Sequence, residues 1–115
     1  MTPGRYNFTC PQGSTLRTLL TYKLDNTPVD ITGYSARLQV RETYESDEYI
    51  VELTNTNGGI TLGGSAGTIE LYISASTTTN FVSGDHVYDL ELINPSFEVT
   101  RLIEGRFNVT KEVTR

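Results

Sequence analysis

Tryptophan is absent from this chain of 115 residues, and cysteine, histidine and methionine each occur once. The lone Cys10 cannot close an internal disulfide, so no oxidising compartment is implied. Its neighbours Asn7-Phe8-Thr9 and Pro11-Gln12 bring no cation to lower the thiol pKa, and it reads as a bystander. One histidine and one cysteine do not supply the three or four ligands of a zinc site. His86 stands beside Asp85, but no serine occupies a strand-to-helix elbow that would complete a triad, and His86 reads as a surface residue near a turn. Basic residues are few and scattered, nine against fourteen acids for a net charge of −5, which excludes a phosphate-binding surface and hence a nucleic-acid partner. No apolar run approaches the length of a membrane span, and Met1 to Tyr6 lacks a signal-peptide core, so the reading is a soluble chain in a reducing interior with no membrane partner.

The features that are present resist catalytic readings as well. Acids gather in Arg41 to Glu48, but without the Asp-x-Asp-x-Asx-Gly spacing of a loop that wraps Ca²⁺; a solvated loop accounts for them. Gly63-Gly64-Ser65-Ala66-Gly67 is followed by a strand pattern, Thr68 to Ser74, where a phosphate cradle needs a helix. Asp89 with Glu91, or Glu70 with Glu91, could share a face, yet alternating acids on a strand are its wet side rather than a glycosidase pair. No catalytic residue, metal ligand or cofactor site is assigned, and the chain reads as non-enzymatic.

Strand follows strand. From Val87 to Val109 two alternating runs flank Asn94-Pro95-Ser96-Phe97, an antiparallel hairpin with Tyr88, Leu90 and Leu92 on one face and Asp89 and Glu91 on the other. Its second half changes parity between Leu102 and Phe107, which predicts a glycine bulge at Glu104-Gly105. Tyr34, Ala36, Leu38 and Val40 alternate cleanly, and Ile69, Leu71 and Ile73 point inward. Tyr6 to Thr9 is a short strand. Thr15 to Leu24 is another, its mixed parity predicting burial on both sides. Tyr49 to Thr54 meets an Asn57-Gly58 turn, after which Ile60 to Leu62 either pairs back or begins the next strand. Ser74 to Phe81 is the one stretch with helical character, capped by Ser or Thr and anchored by Phe81.

About seven or eight short strands with regular turn signals predict an all-β, single-domain antiparallel β-sandwich, immunoglobulin-like or jelly-roll-like, without substantial helix. The domain covers residues 1–115, with 1–13 and 111–115 as extended arms. These arms contain few core residues, which makes Tyr6, Phe8 and Val113 candidate intersubunit contacts. Tyr44, Tyr49 and Tyr72 are the tyrosines expected outside; they are candidate partner contacts, or stacking platforms if the sandwich binds carbohydrate.

The order Pro28-Val29-Asp30-Ile31-Thr32-Gly33-Tyr34 to Arg41, Asn57-Gly58-Gly59-Ile60, Gly67 to Leu71, Tyr88 to Leu92 and Val99 to Gly105 resembles a family of small tailed-bacteriophage structural proteins. It is more loosely similar to the N-terminal domain of phage baseplate upper proteins. The resemblance implies a virion β-sandwich, made in the host bacterial cytoplasm and present in symmetric copies. Such a module joins other virion structural proteins in the tail, baseplate or neck, or decorates the capsid as a cement protein. The long stalk and receptor-facing portion of baseplate upper proteins have no counterpart here, so a receptor-binding role is not carried over.

Overall fold

Alternation of apolar and polar residues at a period of two dictates strands with one buried face, and the chain builds its two sheets from such segments. The computed structural model describes residues 3–114. The strands are β1 (Gly4–Arg5), β2 (Phe8–Pro11), β3 (Leu16–Thr21), β4 (Lys23–Leu24), β5 (Thr27–Pro28), β6 (Ser35–Arg41), β7 (Val51–Thr54), β8 (Ile60–Leu62), β9 (Thr68–Ile73), β10 (Gly84–Ile93) and β11 (Val99–Thr110). A 3₁₀ turn at Gly64–Ala66 and the one-turn helix α1 (Ala75–Thr78) are the helical pieces among the described residues.

The larger sheet runs β1-β11-β10-β6-β7, with β2 continuing β1 along β11; the smaller runs β3-β9-β8, and β4 and β5 form a separate hairpin. Leu38, Val40, Leu90, Leu92 and Val109 from the first meet Ile69, Leu71 and Ile73 from the second in one core. An all-β sandwich is thus the fold. The division of β11-β10-β6-β7 from β3-β9-β8 is the immunoglobulin-like arrangement of the two alternatives. The inter-sheet disulfide of antibody domains has no counterpart, since Cys10 is free and buried. Burial raises its thiol pKa and leaves it inert.

Four expectations are corrected. The supposed N-terminal arm is, from Gly4 to Pro11, an edge of the larger sheet: β1 and β2 pair in parallel with β11, Gly4 opposite Ile103 and Phe8 opposite Phe107. Met1 and Thr2 of that arm, and Arg115 of the C-terminal one, lie outside the described residues. The Gln12 side chain also ties this edge down, donating to Phe81 O at 2.8 Å and accepting from Glu112 N at 3.1 Å. Second, β3 is not buried on both faces. It is an edge strand with one inward side, and Leu19 is 64% exposed because its parity points to solvent. Third, the register slip in the last hairpin falls at Leu102, which has no partner between Ile103 (opposite Leu90) and Arg101 (opposite Glu91). Gly105 is needed for another reason, the close crossing of Tyr6-Asn7, the link between β1 and β2. Fourth, His86 is buried rather than on the surface.

The turns follow the local chemistry. Asn57 does not return the chain to β7; β8 crosses to the other sheet and pairs with β9, Ile60 opposite Leu71. The Ser74 hydroxyl caps α1 by accepting from Thr77 N at 3.3 Å, and Phe81 anchors the segment in the core. At the hairpin tip Asn94 Oδ1 accepts from both Ser96 N and Glu98 N at 2.9 Å, and Phe97 takes a left-handed backbone, φ 65°.

Candidate functional site

The outward residues of β6, β10 and β11 make a surface where ion-paired groups converge. Arg37 and Glu91 stand opposite across the β6–β10 pair and meet at 2.7 Å. The bulge at Leu102 sets Glu104 opposite Asp89, two acids face to face. Arg101 bridges them, at 3.4 Å from Asp89 and 3.3 Å from Glu104, while Arg5 reaches Glu104 from the outer strand at 3.4 Å. Desolvation pushes the Asp89 carboxyl up from its ordinary 3.8, Arg101 opposes that, and Glu91 and Glu104 add to it. The folded chain therefore holds this proton more tightly than the unfolded one. Above pH 3.8, as the folded group in turn ionises, Asp89 costs folded-state stability rather than adding to it.

Beside this ladder lies a shallow cleft of about 430 Å³. Val87, buried outside the main core, and Arg41, Gln39, Glu52 and Tyr44 line it. Gln39 donates to Glu52 at 2.6 Å. Arg41 donates to Gln39 Oε1 at 2.7 Å and to Ser46 O at 2.9 Å. These polar groups are engaged with one another, and the exposed ion pairs of the neighbouring ladder are each worth about 1 kcal/mol or less. What the arrangement provides is a rigid, mixed-charge face with one free aromatic wall, Tyr44, which is 68% exposed.

The candidate contact residues do not form a single patch. Tyr6, Tyr44, Tyr49 and Val113 are exposed, Val113 at 92%. Tyr72 is half-buried, with the Arg17 guanidinium 4.6 Å above its ring. Phe8 is a correction: its ring lies in the core, edge-on to Tyr88 at 5.0 Å, because β2 turns alternate residues inward. Sequence reading missed Phe97, the most exposed aromatic at 86%. The signal available was a large apolar residue within an Asn-Pro-Ser turn, a position normally left to polar residues.

His86 packs inside, its Nε2–H donating to the Val82 carbonyl at 2.8 Å. This closes the loop that joins α1 to β10, and the role is structural. His86→Ala is expected to cost about 1–3 kcal/mol in urea unfolding, through a lost buried ring and hydrogen bond. A loss below a few tenths of a kcal/mol would remove that role.

No protein-family model matches the chain, and no curated protein matches it. Among solved structures it is similar to voltage-gated sodium channel beta subunits studied for multimeric cell-adhesive interactions, at 14% identity over 92% of each chain with a TM-score of 0.46. It is also similar to the extracellular domain of the voltage-gated sodium channel beta4 subunit, described as a parallel homodimer, at 12% identity over 98% of this chain and 97% of that one, TM-score 0.45. A third is Drosophila OTK extracellular domains 3–5, at 15% identity over 96% of this chain and 33% of that one, TM-score 0.40. The strand order and register, rather than these likenesses, assign the chain to the immunoglobulin-like sandwiches.

Proposed function

We propose that the chain is a non-enzymatic structural protein of a tailed-bacteriophage particle, a small β-sandwich adaptor or assembly module of the tail, baseplate or neck. One observation carries the reading beyond the sequence resemblance. Phe97 and Val113, the two most exposed large apolar side chains among the described residues, stand past opposite ends of β11, the longest strand described. A rigid module with an apolar contact at each end suits a part that joins neighbours on both sides. The segments that resemble the phage family are β6 with the chain leading into it, the β7–β8 turn, the first part of β9 and much of the β10–β11 hairpin.

Under this reading the protein is made in the host bacterial cytoplasm and incorporated into virions in several copies. Mass spectrometry of purified particles should recover it at multi-copy stoichiometry, and its absence there would overturn the proposal. A second reading, a carbohydrate-binding or adhesive module, is favoured by one feature, Tyr44 standing free beside a polar cleft. Retention on a glycan array that Tyr44→Ala abolishes, without virion incorporation, would decide for it.

A further inference from the structure

The four edges of the two sandwich sheets are not treated alike. Along β7 the Asn57 side chain takes the place of a neighbouring strand: its Oδ1 accepts from Thr54 N at 2.9 Å, and its Nδ2 donates to Glu52 O at 2.9 Å. The β1–β2 edge is broken at Tyr6-Asn7 and bounded by Pro3 and Pro11, which have no N–H to offer. The β8 edge is three residues long, between Gly59 and Gly63. Only β3 presents six residues without proline, glycine or acid.

The ladders identify the free groups. Tyr72 N donates to Gly59 O at 2.9 Å, so Thr68, Glu70 and Tyr72 of β9 face β8, and Ile69, Leu71 and Ile73 face β3. Their β3 partners are Leu20, Thr18 and Leu16, so the N–H and C=O of Arg17, Leu19 and Thr21 point away from the sheet. These outward groups have no backbone partner among the described residues. They recur roughly every 7 Å, twice the strand rise, which is the spacing another strand requires.

We propose that β3 is a docking edge for β3 of a second copy, forming a two-fold antiparallel pair centred on Leu19. This rests on the assembly reading above and names one of its partners as the chain itself. In that register Leu19 faces the partner's Leu19 and Arg17 faces the partner's Thr21. Three donors and three acceptors on each copy are satisfied, and the two sheets join into a continuous one, β8-β9-β3-β3-β9-β8. The side chains agree with the backbone. Leu19, left 64% exposed on the outer face, is covered by its own counterpart. The two Arg17 side chains lie on opposite sides of the two-fold axis, each already held by Glu70 at 3.1 Å, so like charges do not meet. On the inner face Thr18 meets the partner's Leu20, and Leu16 and Leu20, now only partly buried, gain cover.

Sedimentation equilibrium of the purified chain, with hydrogen exchange followed by NMR, tests this independently of any virion. The wild type should dimerise. The Arg17, Leu19 and Thr21 amides should exchange at least about tenfold more slowly at concentrations where the dimer is populated, while the Asn57-capped β7 edge stays unchanged. Leu19→Lys, which sets two ammonium groups opposite one another, should raise the dissociation constant at least about tenfold with circular dichroism unchanged. Thr21→Pro, which removes an outward N–H, should do the same, and Phe97→Ala should not. A wild type monomeric throughout, a dimer in which the three amides remain unprotected, or full dimerisation of both edge variants would overturn the proposal. Recovery of the protein in virions with β3 still monomeric would leave the assembly reading standing without this partner.

Discussion

Leu90→Asp should abolish folding, leaving the chain in the insoluble fraction with no cooperative transition by circular dichroism. Leu90 is fully buried at the centre of β10, opposite Leu38 on one side and Ile103 on the other. Truncating a buried leucine costs about 2–5 kcal/mol before any charge is considered. An ionised carboxylate at that site has no cation or donor to meet, and its desolvation adds several kcal/mol more. A domain of this size holds about 5–15 kcal/mol in all, so the substitution removes most or all of it. The paired control is one residue away. Asp89→Leu places an apolar group on the outer face, loses only an exposed pair with Arg101, and should stay folded. If Leu90→Asp folds with a normal transition, the inward phase of β10 is wrong and the sandwich with it.

Gly105→Ala should cost about 2–4 kcal/mol in chemical unfolding, a large effect for a single methyl group. A Cβ at this position would run into the Tyr6 carbonyl and meet Asn7 Oδ1 at 2.8 Å, and backbone cannot rotate aside as a flexible side chain can. Three hydrogen bonds depend on that crossing. Tyr6 N donates to Glu104 O at 3.1 Å, the Tyr88 hydroxyl donates to Tyr6 O at 2.6 Å, and Arg106 N donates to Asn7 Oδ1 at 2.9 Å. Tyr88 is buried, and desolvation pushes its hydroxyl pKa well up, so the phenol stays a donor across the ordinary pH range. A change within about 0.5 kcal/mol of wild type, the range of neutral surface substitutions, would show that the Tyr6-Asn7 link does not hold this close approach.

The sequence exposed those parts of the fold that local pattern alone determines. Ala36, Leu38 and Val40, and likewise Ile69, Leu71 and Ile73, are buried as their alternation requires, and Ser74 caps its helical turn. The parts it hid depend on partners distant in the chain. Leu19 breaks the alternation of β3, and the same residue pattern fits either a strand covered on both sides or an edge; only the sheet order distinguishes them. The bulge lies at Leu102, a residue with no special backbone preference, whereas the nearby glycine answers to Tyr6, about a hundred residues earlier. His86 resembles any histidine after a turn until β11 is paired beside it, with Phe107 opposite. The exposed Tyr44 and Tyr49 follow from their place in an acidic loop, while the inward turn of Phe8 requires knowing that its strand joins the sheet.

The parallel run of β1 and β2 beside β11 has a mechanical consequence. Gly4 lies level with Ile103, partway along β11, and Pro11 with Thr110, at its end, so the N-terminal edge starts and β11 finishes at points well separated along the sheet. Tension applied between Gly4 and Thr110, the far end of β11, slides the strands lengthwise along each other. The backbone bonds of β1 and β2 then carry the load together, where an antiparallel terminal pair would be peeled open one bond at a time. A module strung between moving neighbours would yield late under such a pull, and the three hydrogen bonds at Tyr6-Asn7 would bridge the gap between β1 and β2.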